Sequence, residues 1–131
     1  MKKNILFVCI ENSNRSQMAE AFAKIHGENS VNAFSAGSRP LEKVNPMAVE
    51  AMKLKGYDLT LHKSKSVDEF RKMTFDYVIT MGCGDECPFI RSKHRQDWDI
   101  PDPRQMDMND FLKVRDKIEE DVKNLLGKIV V

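Results

Sequence analysis

Neither sign of charge prevails in this sequence. Against 21 lysines and arginines stand 20 aspartates and glutamates, a formal net charge of +1 over 131 residues. That balance gives no global attraction to nucleic acid or to an anionic membrane surface. Long hydrophobic runs are missing too, and nothing approaches the length of a membrane span. Lys2 and Lys3 precede an apolar stretch, as in a secretion signal, but the stretch stops at Glu11 without a small-residue cleavage site. Internal repeats, low-complexity tracts and linkers are absent. These absences point to a cytoplasmic protein of one domain, residues 1–131, with nothing that demands more than a monomer. Hydrophobic residues at 41% and charged residues at 31% are the proportions of an ordinary globule, long enough to bury one core.

Cysteine is scarce as well. There are three, Cys9, Cys83 and Cys87, an odd number for a disulfide scaffold. In a reducing compartment they point to chemistry or metal instead. One stands alone near the start, and two sit together in "MGCGDECP".

What the chain does have is alternation. Ile5 to Val8 form an apolar, partly β-branched run suited to a buried strand. From Ser16 onward, Met18, Phe22 and Ile25 recur at helical spacing. Val31 to Phe34 reads as a strand, followed by the turn-prone Ala36-Gly37-Ser38. Asn45 as cap and Pro46 at the first helical position start a helix that Ala48, Ala51, Met52 and Leu54 carry to Gly56. Ser66 caps a short segment with Val67 and Phe70, and Tyr77 to Thr80 make the clearest later strand. A weaker strand is expected near Asp97 to Ile100, ended by Pro101 and Pro103. From Asp110 to Leu126, Phe111, Val114, Ile118, Val122 and Leu125 share one helix face. This order implies an α/β domain, a four-stranded parallel sheet with helices on both faces. Ligands of such sheets sit beyond the carboxyl ends of the strands, where Cys9 and Cys83 would both lie.

Between the first strand and the first helix lies Ile10-Glu11-Asn12-Ser13-Asn14, preceded by Cys9 and followed by Arg15-Ser16. A loop this short can aim several backbone N–H groups at one point, and the helix start adds its dipole, making an anion cradle. The Arg15 guanidinium is a planar fork suited to two oxygens of a tetrahedral oxyanion. The same positive field stabilises a thiolate, the reactive form of cysteine. Cys9 thus reads as a nucleophile beneath a phosphate-like ion held by Ile10, Glu11, Asn12, Ser13, Asn14, Arg15 and Ser16. The loop is no nucleotide site of the familiar kinds, since both G-x-x-x-x-G-K-[ST] and G-x-G-x-x-G are absent. No cofactor is expected.

Blander readings cover the remaining residues. A lone cysteine after a strand is ordinarily a small buried hydrophobe. Cys83, Cys87 and His94 could be taken as zinc ligands, but a fourth is missing and no metal is expected. His26, His62 and His94 read as surface or helix-end residues, with His62 the candidate to line a pocket. Trp98 reads as a packing residue with a polar handle.

Cys-x5-Arg-Ser directly after the first strand resembles the low-molecular-weight protein tyrosine phosphatase fold. "PDPRQ", with Asp102-Pro103, matches that family's late acidic Asp-Pro motif, and "FSAGS", Phe34 to Ser38, matches the segment after its second strand. One branch of the fold is the arsenate reductases, and Cys83 and Cys87 select it. The resemblance implies that Cys9 attacks arsenate, that Cys83 resolves the adduct, and that Cys87 carries the disulfide to thioredoxin. A low-molecular-weight thiol such as mycothiol is the other reductant the "MGCGDECP" pattern suggests. By the same resemblance Arg15 binds the oxyanion and Asp102 is the general acid, with Asp99 its rival. Asn12 and Ser16 would hold the loop in shape and stabilise the Cys9 thiolate, Ser35 would be an outer partner behind them, and Lys65 would stand where some members hold potassium. Glycine is common at the third loop position in this family, so Glu11 is expected to point outward, away from the bound ion. The alternative is a phosphatase hydrolysing phosphate monoesters through a Cys9 phosphoenzyme, which needs one cysteine rather than three. Reduction of As(V) takes two electrons, which two thiols closing to one disulfide supply.

Overall fold

The structure, a computed structural model, describes residues 2–82 and 90–129. Cys83 and Cys87, with the roles read for them, lie outside the described residues. Four strands, β1 (Lys3–Cys9), β2 (Val31–Gly37), β3 (Phe75–Met81) and β4 (Ser92–Trp98), form one parallel sheet in the order β2-β1-β3-β4. The helices are α1 (Arg15–Gly27), α2 (Pro46–Lys53) and α3 (Met108–Ile129), with short 3-10 turns at Leu59–Leu61 and Val67–Phe70. Among the described residues no helix is long and apolar enough to cross a membrane.

The alternation within β1 builds two cores. Ile5, Phe7 and Cys9 face one side, where α1, α2 and α3 bring Met18, Phe22, Ala51, Met52, Val114 and Ile118. Leu6 and Val8 face the other, under Val67, Phe70 and Phe75. There the rings of Phe34, Phe70 and Phe75 meet pairwise at 5.7–6.1 Å between centroids. The α3 stripe read from the sequence is buried throughout. Trp98 packs on Phe7 at 6.0 Å and donates its indole N–H to Gln96 Oε1.

Three expectations shift. The fourth strand is Ser92–Trp98 rather than Asp97 to Ile100. Its sequence, SKHRQDW, lies at a sheet edge and is largely exposed, so no apolar alternation marks it; buried Ile100 lies just beyond. Ile25 shares a spacing with Met18 and Phe22 but is exposed: α1 is enclosed on every side from Arg15 to Ala23, and in its last turn only Gly27 stays buried, against Val31 and Leu126. α2 keeps helical geometry past Lys53 and closes as the sequence reading has it, with Gly56 at φ +78° and Tyr57 N–H donating to Met52 O.

The third shift bears on the site. β2 continues through Ser35, Ala36 and Gly37, which pair with Phe7, Val8 and Cys9, so the expected turn is strand. A Cβ on Gly37 would stand 2.6 Å from Ile10 O and 2.8 Å from Asn12 N. Glycine is required there because the loop after β1 lies directly on the end of β2. Gly37→Ala should therefore cost about 2–4 kcal/mol, against about 1 kcal/mol for Gly56→Ala, where open space leaves only the positive φ. Urea denaturation of the two variants measures the contrast; equal losses would mean the loop yields at no cost.

Candidate active site

Asn12, Ser13 and Asn14 in the loop are polar yet buried, and Ser16 and Gln17 beyond it are fully enclosed. Every donor and acceptor there needs a partner. Asn12 supplies most of them. Its backbone is left-handed, φ +49°, a conformation asparagine tolerates better than most residues. Its Oδ1 accepts from Gln17 Nε2 at 2.8 Å and from Lys65 N–H at 2.8 Å. That fixes the amide, so Nδ2 donates to Ser16 Oγ at 2.7 Å. Ser16 Oγ lies 2.8 Å from Cys9 Sγ; it already accepts from Asn12 and keeps its hydroxyl proton to donate to the sulfur when Cys9 is a thiolate.

In front of the loop opens a cavity of about 350 Å³, lined by Cys9, Ile10, Glu11, Ser13, Asn14, Arg15, Arg39, Leu41, Asp102 and Arg104. Asn14 occupies the cap position of α1 but makes no side-chain cap, and no acidic residue occupies the first turn. The helix start is thereby left for an outside anion. Arg15, the first residue of α1, is almost fully buried and donates through Nη1 to Ile100 O at 3.0 Å. Gly82, φ +74°, lies against the same guanidinium, where a Cβ would come within 2.4 Å of Nη1. Arg15 therefore ties together the ends of β1, β3 and the segment after β4. Two residues past Ile100, Asp102 faces the cavity. Asp99 instead lines a depression with Lys117 and Asp121 against α3, so of the two aspartates Asp102 is the one at the cavity with Cys9.

Behind the loop runs a second polar layer. Gln17 Oε1 accepts from His62 Nδ1 at 2.9 Å, and His62 Nε2 receives the Tyr57 hydroxyl at 2.6 Å. These two bonds are those of a neutral imidazole protonated at Nδ1. Burial pulls the His62 pKa below its ordinary value, against the attraction of Glu20. Burial likewise raises the Tyr57 phenol, keeping it a donor. Burial alone would push the Glu20 carboxyl up, but His62 once acid has protonated it, hydrogen bonds from Lys24 and Ser35, and the Lys65 charge together hold it below the ordinary value. Lys65 Nζ stands 3.7 Å from Glu20 and donates to Lys63 O at 2.7 Å, an ammonium fixed beside a buried carboxylate.

The structure gathers Cys9, Ile10, Glu11, Ser13, Asn14, Arg15 and Asp102 around the cavity, with Asn12 and Ser16 beneath it. Two readings need correction. Glu11 does not point away: it lines the cavity, and Arg104 pairs with its carboxylate at 3.1 Å. His62 supports the loop from behind and does not line the cavity. Ser35, read as an outer partner of the loop, donates to Glu20 at 2.6 Å. Gln17, Tyr57, Arg39, Leu41 and Arg104 escaped the sequence reading. Gln17 alone carried a signal, an amide beside Ser16 in the first turn of the helix that follows the loop.

The family model described as low molecular weight phosphotyrosine protein phosphatase matches residues 4–130. Among curated relatives, the glutaredoxin arsenate reductase of Synechocystis sp. is 35% identical, covering 97% of this chain and 98% of its own length. An arsenate reductase of Staphylococcus aureus is 37% identical over the same shares of the two chains. Among solved structures, an arsenate reductase in the phosphate binding state superposes with a TM-score of 0.89 at 36% identity, covering 98% of this chain and 99% of that one. A thioredoxin-dependent arsenate reductase of Corynebacterium glutamicum gives 0.80 at 32% identity, covering 98% of this chain and 62% of that one.

The buried imidazole sets a pH dependence. Unfolded, His62 takes up a proton near pH 6.5; folded, it resists to lower pH, so the unfolded chain binds more protons and stability falls as acid is added. Glu20 has the same sign further down: its stabilisation is present above pH 4.5 and is lost as the pH falls through its folded value. The thermal midpoint should drop between about pH 7 and pH 5, and His62→Gln should flatten that interval. Melting curves of both proteins measure it; an unchanged slope in the variant would contradict the neutral, buried His62.

Proposed function

The chain belongs to the low molecular weight phosphotyrosine protein phosphatase family, and from that premise we propose that it reduces arsenate to arsenite through three thiols. The observation that carries the reading is that Cys9 and the buried Arg15 line one cavity with the start of α1, the Ser16 hydroxyl lying 2.8 Å from the Cys9 sulfur. Arsenate and phosphate are both tetrahedral oxyanions, so a cradle of this chemistry accepts either. Relatives named arsenate reductase, 35% and 37% identical over nearly their full lengths, support the choice of arsenate.

In the proposed reaction the Cys9 thiolate attacks As(V), and one oxygen leaves as water with a proton from Asp102. The Arg15 fork and the loop N–H groups hold the remaining oxygens. The Cys83 thiolate then attacks Cys9 Sγ, the sulfur–arsenic bond breaks, and its electron pair departs with arsenic as arsenite. Cys87 displaces Cys9 from the Cys9–Cys83 disulfide and leaves Cys83–Cys87 oxidised. A reductant dithiol restores both. Support for the involvement of Cys83 comes from its neighbour in sequence, Gly82, which packs against Arg15 at the rim where β1 and β3 end side by side. Thioredoxin is the reductant we favour, as in the name of the Corynebacterium relative.

Single-cysteine variants test the sequence of steps. Cys9→Ser and Cys83→Ser should release no arsenite. Cys87→Ser should release a single equivalent, stall, and yield a Cys9–Cys83 disulfide on peptide mapping. Free turnover of Cys87→Ser with small thiols would remove thioredoxin from the scheme. If no variant nor the parent reduces arsenate while aryl phosphate hydrolysis survives loss of Cys83 and Cys87, the protein is a phosphatase.

A further inference from the structure

Glu11 is the one acidic side chain in the loop, and it stands on the rim of a cavity that the loop, Arg15 and Arg39 fit for an anion. Left alone, that carboxylate would oppose any oxyanion entering. Arg104 meets it. The guanidinium Nη1 lies 3.1 Å from Glu11 Oε2 and Nε lies 3.4 Å from Asp102 Oδ2, while the Arg104 backbone N–H donates to Asp102 Oδ1 at 3.1 Å. All three side chains are partly exposed, so the triad adds little to folding stability. Its place explains it better: a cation from the segment before α3 bridges a loop carboxylate to the carboxylate that faces the nucleophile.

We propose that Arg104 is a positioning residue of the oxyanion site, cancelling the Glu11 charge at the rim and tethering Asp102 there. Resting on the oxyanion-cradle part of the proposed function, this accounts for a carboxylate in an anion-binding loop. Glu11 and Arg104 act as one neutral unit, so removing either charge alone shifts anion affinity in opposite directions, and removing both restores it. A phosphate-like ion carries between about one and two negative charges at neutral pH, so an uncancelled neighbour is felt as roughly tenfold in affinity.

Calorimetric binding of inorganic phosphate to the reduced protein at low salt tests this with a double-mutant cycle. Arg104→Ala should weaken phosphate binding by about tenfold, and Glu11→Gln should tighten it. Adding Glu11→Gln to Arg104→Ala should bring affinity back to within about threefold of the parent, a rescue that a merely structural role for Arg104 would not give. The same loss from Arg104→Ala whether or not Glu11 is charged would overturn the proposal, because Arg104 would then hold the anion itself. No loss at all would overturn it too. Since phosphate binding is read directly, a protein that binds phosphate as described but never reduces arsenate would refute the reaction and leave the charge balance standing.

Discussion

A polar loop must be buried in a single shape, and the side chain of Asn12 meets that constraint. Its left-handed backbone turns the chain between β1 and α1, and its amide joins Gln17, Lys65 and Ser16. Buried polar groups are costly when unpaired and rigid when fully paired. Here the pairing continues backward through Gln17 to His62 and Tyr57, and forward through Ser16 to the sulfur of Cys9. The Cys9 sulfur, the proposed nucleophile, is thus the last member of a chain of hydrogen bonds that begins half-buried at Tyr57.

The sheet gives that loop its floor. With β1 flanked by β2 and β3, the loop lies on Gly37 at the end of one neighbour, and the Arg15 guanidinium lies on Gly82 at the end of the other. Both contacts need a residue without a side chain. Arg15 also holds Ile100, and the chain from Ile100 leads to Asp102 and Arg104 at the opposite rim. One buried arginine therefore sets the distance between the thiol and the acid that would serve it, and an ion pair from that far rim closes over Glu11.

Much of this was legible in the sequence because the residues concerned are apolar or chemically singular. The α3 stripe, the Ile5 to Val8 run and Cys-x5-Arg-Ser each obey one strong rule, and each falls where that rule puts it. β4 was misplaced because an exposed edge strand such as SKHRQDW has no reason to alternate. Gly37 reads as a turn because its neighbours are turn formers, and nothing local shows that another loop rests on it. Arg104 and Glu11 are 93 positions apart, and only the folded chain makes their charges one unit.

Alkylation of Cys9 with and without inorganic phosphate tests the anion cradle most directly. In a Cys83→Ser, Cys87→Ser protein, Cys9 is the sole thiol, and iodoacetamide reports on it alone. Phosphate should slow alkylation in a saturable way, and Arg15→Ala should abolish that protection. Alkylation indifferent to phosphate would mean that no anion sits above the sulfur, and the cradle built around Asn12 would have lost its purpose.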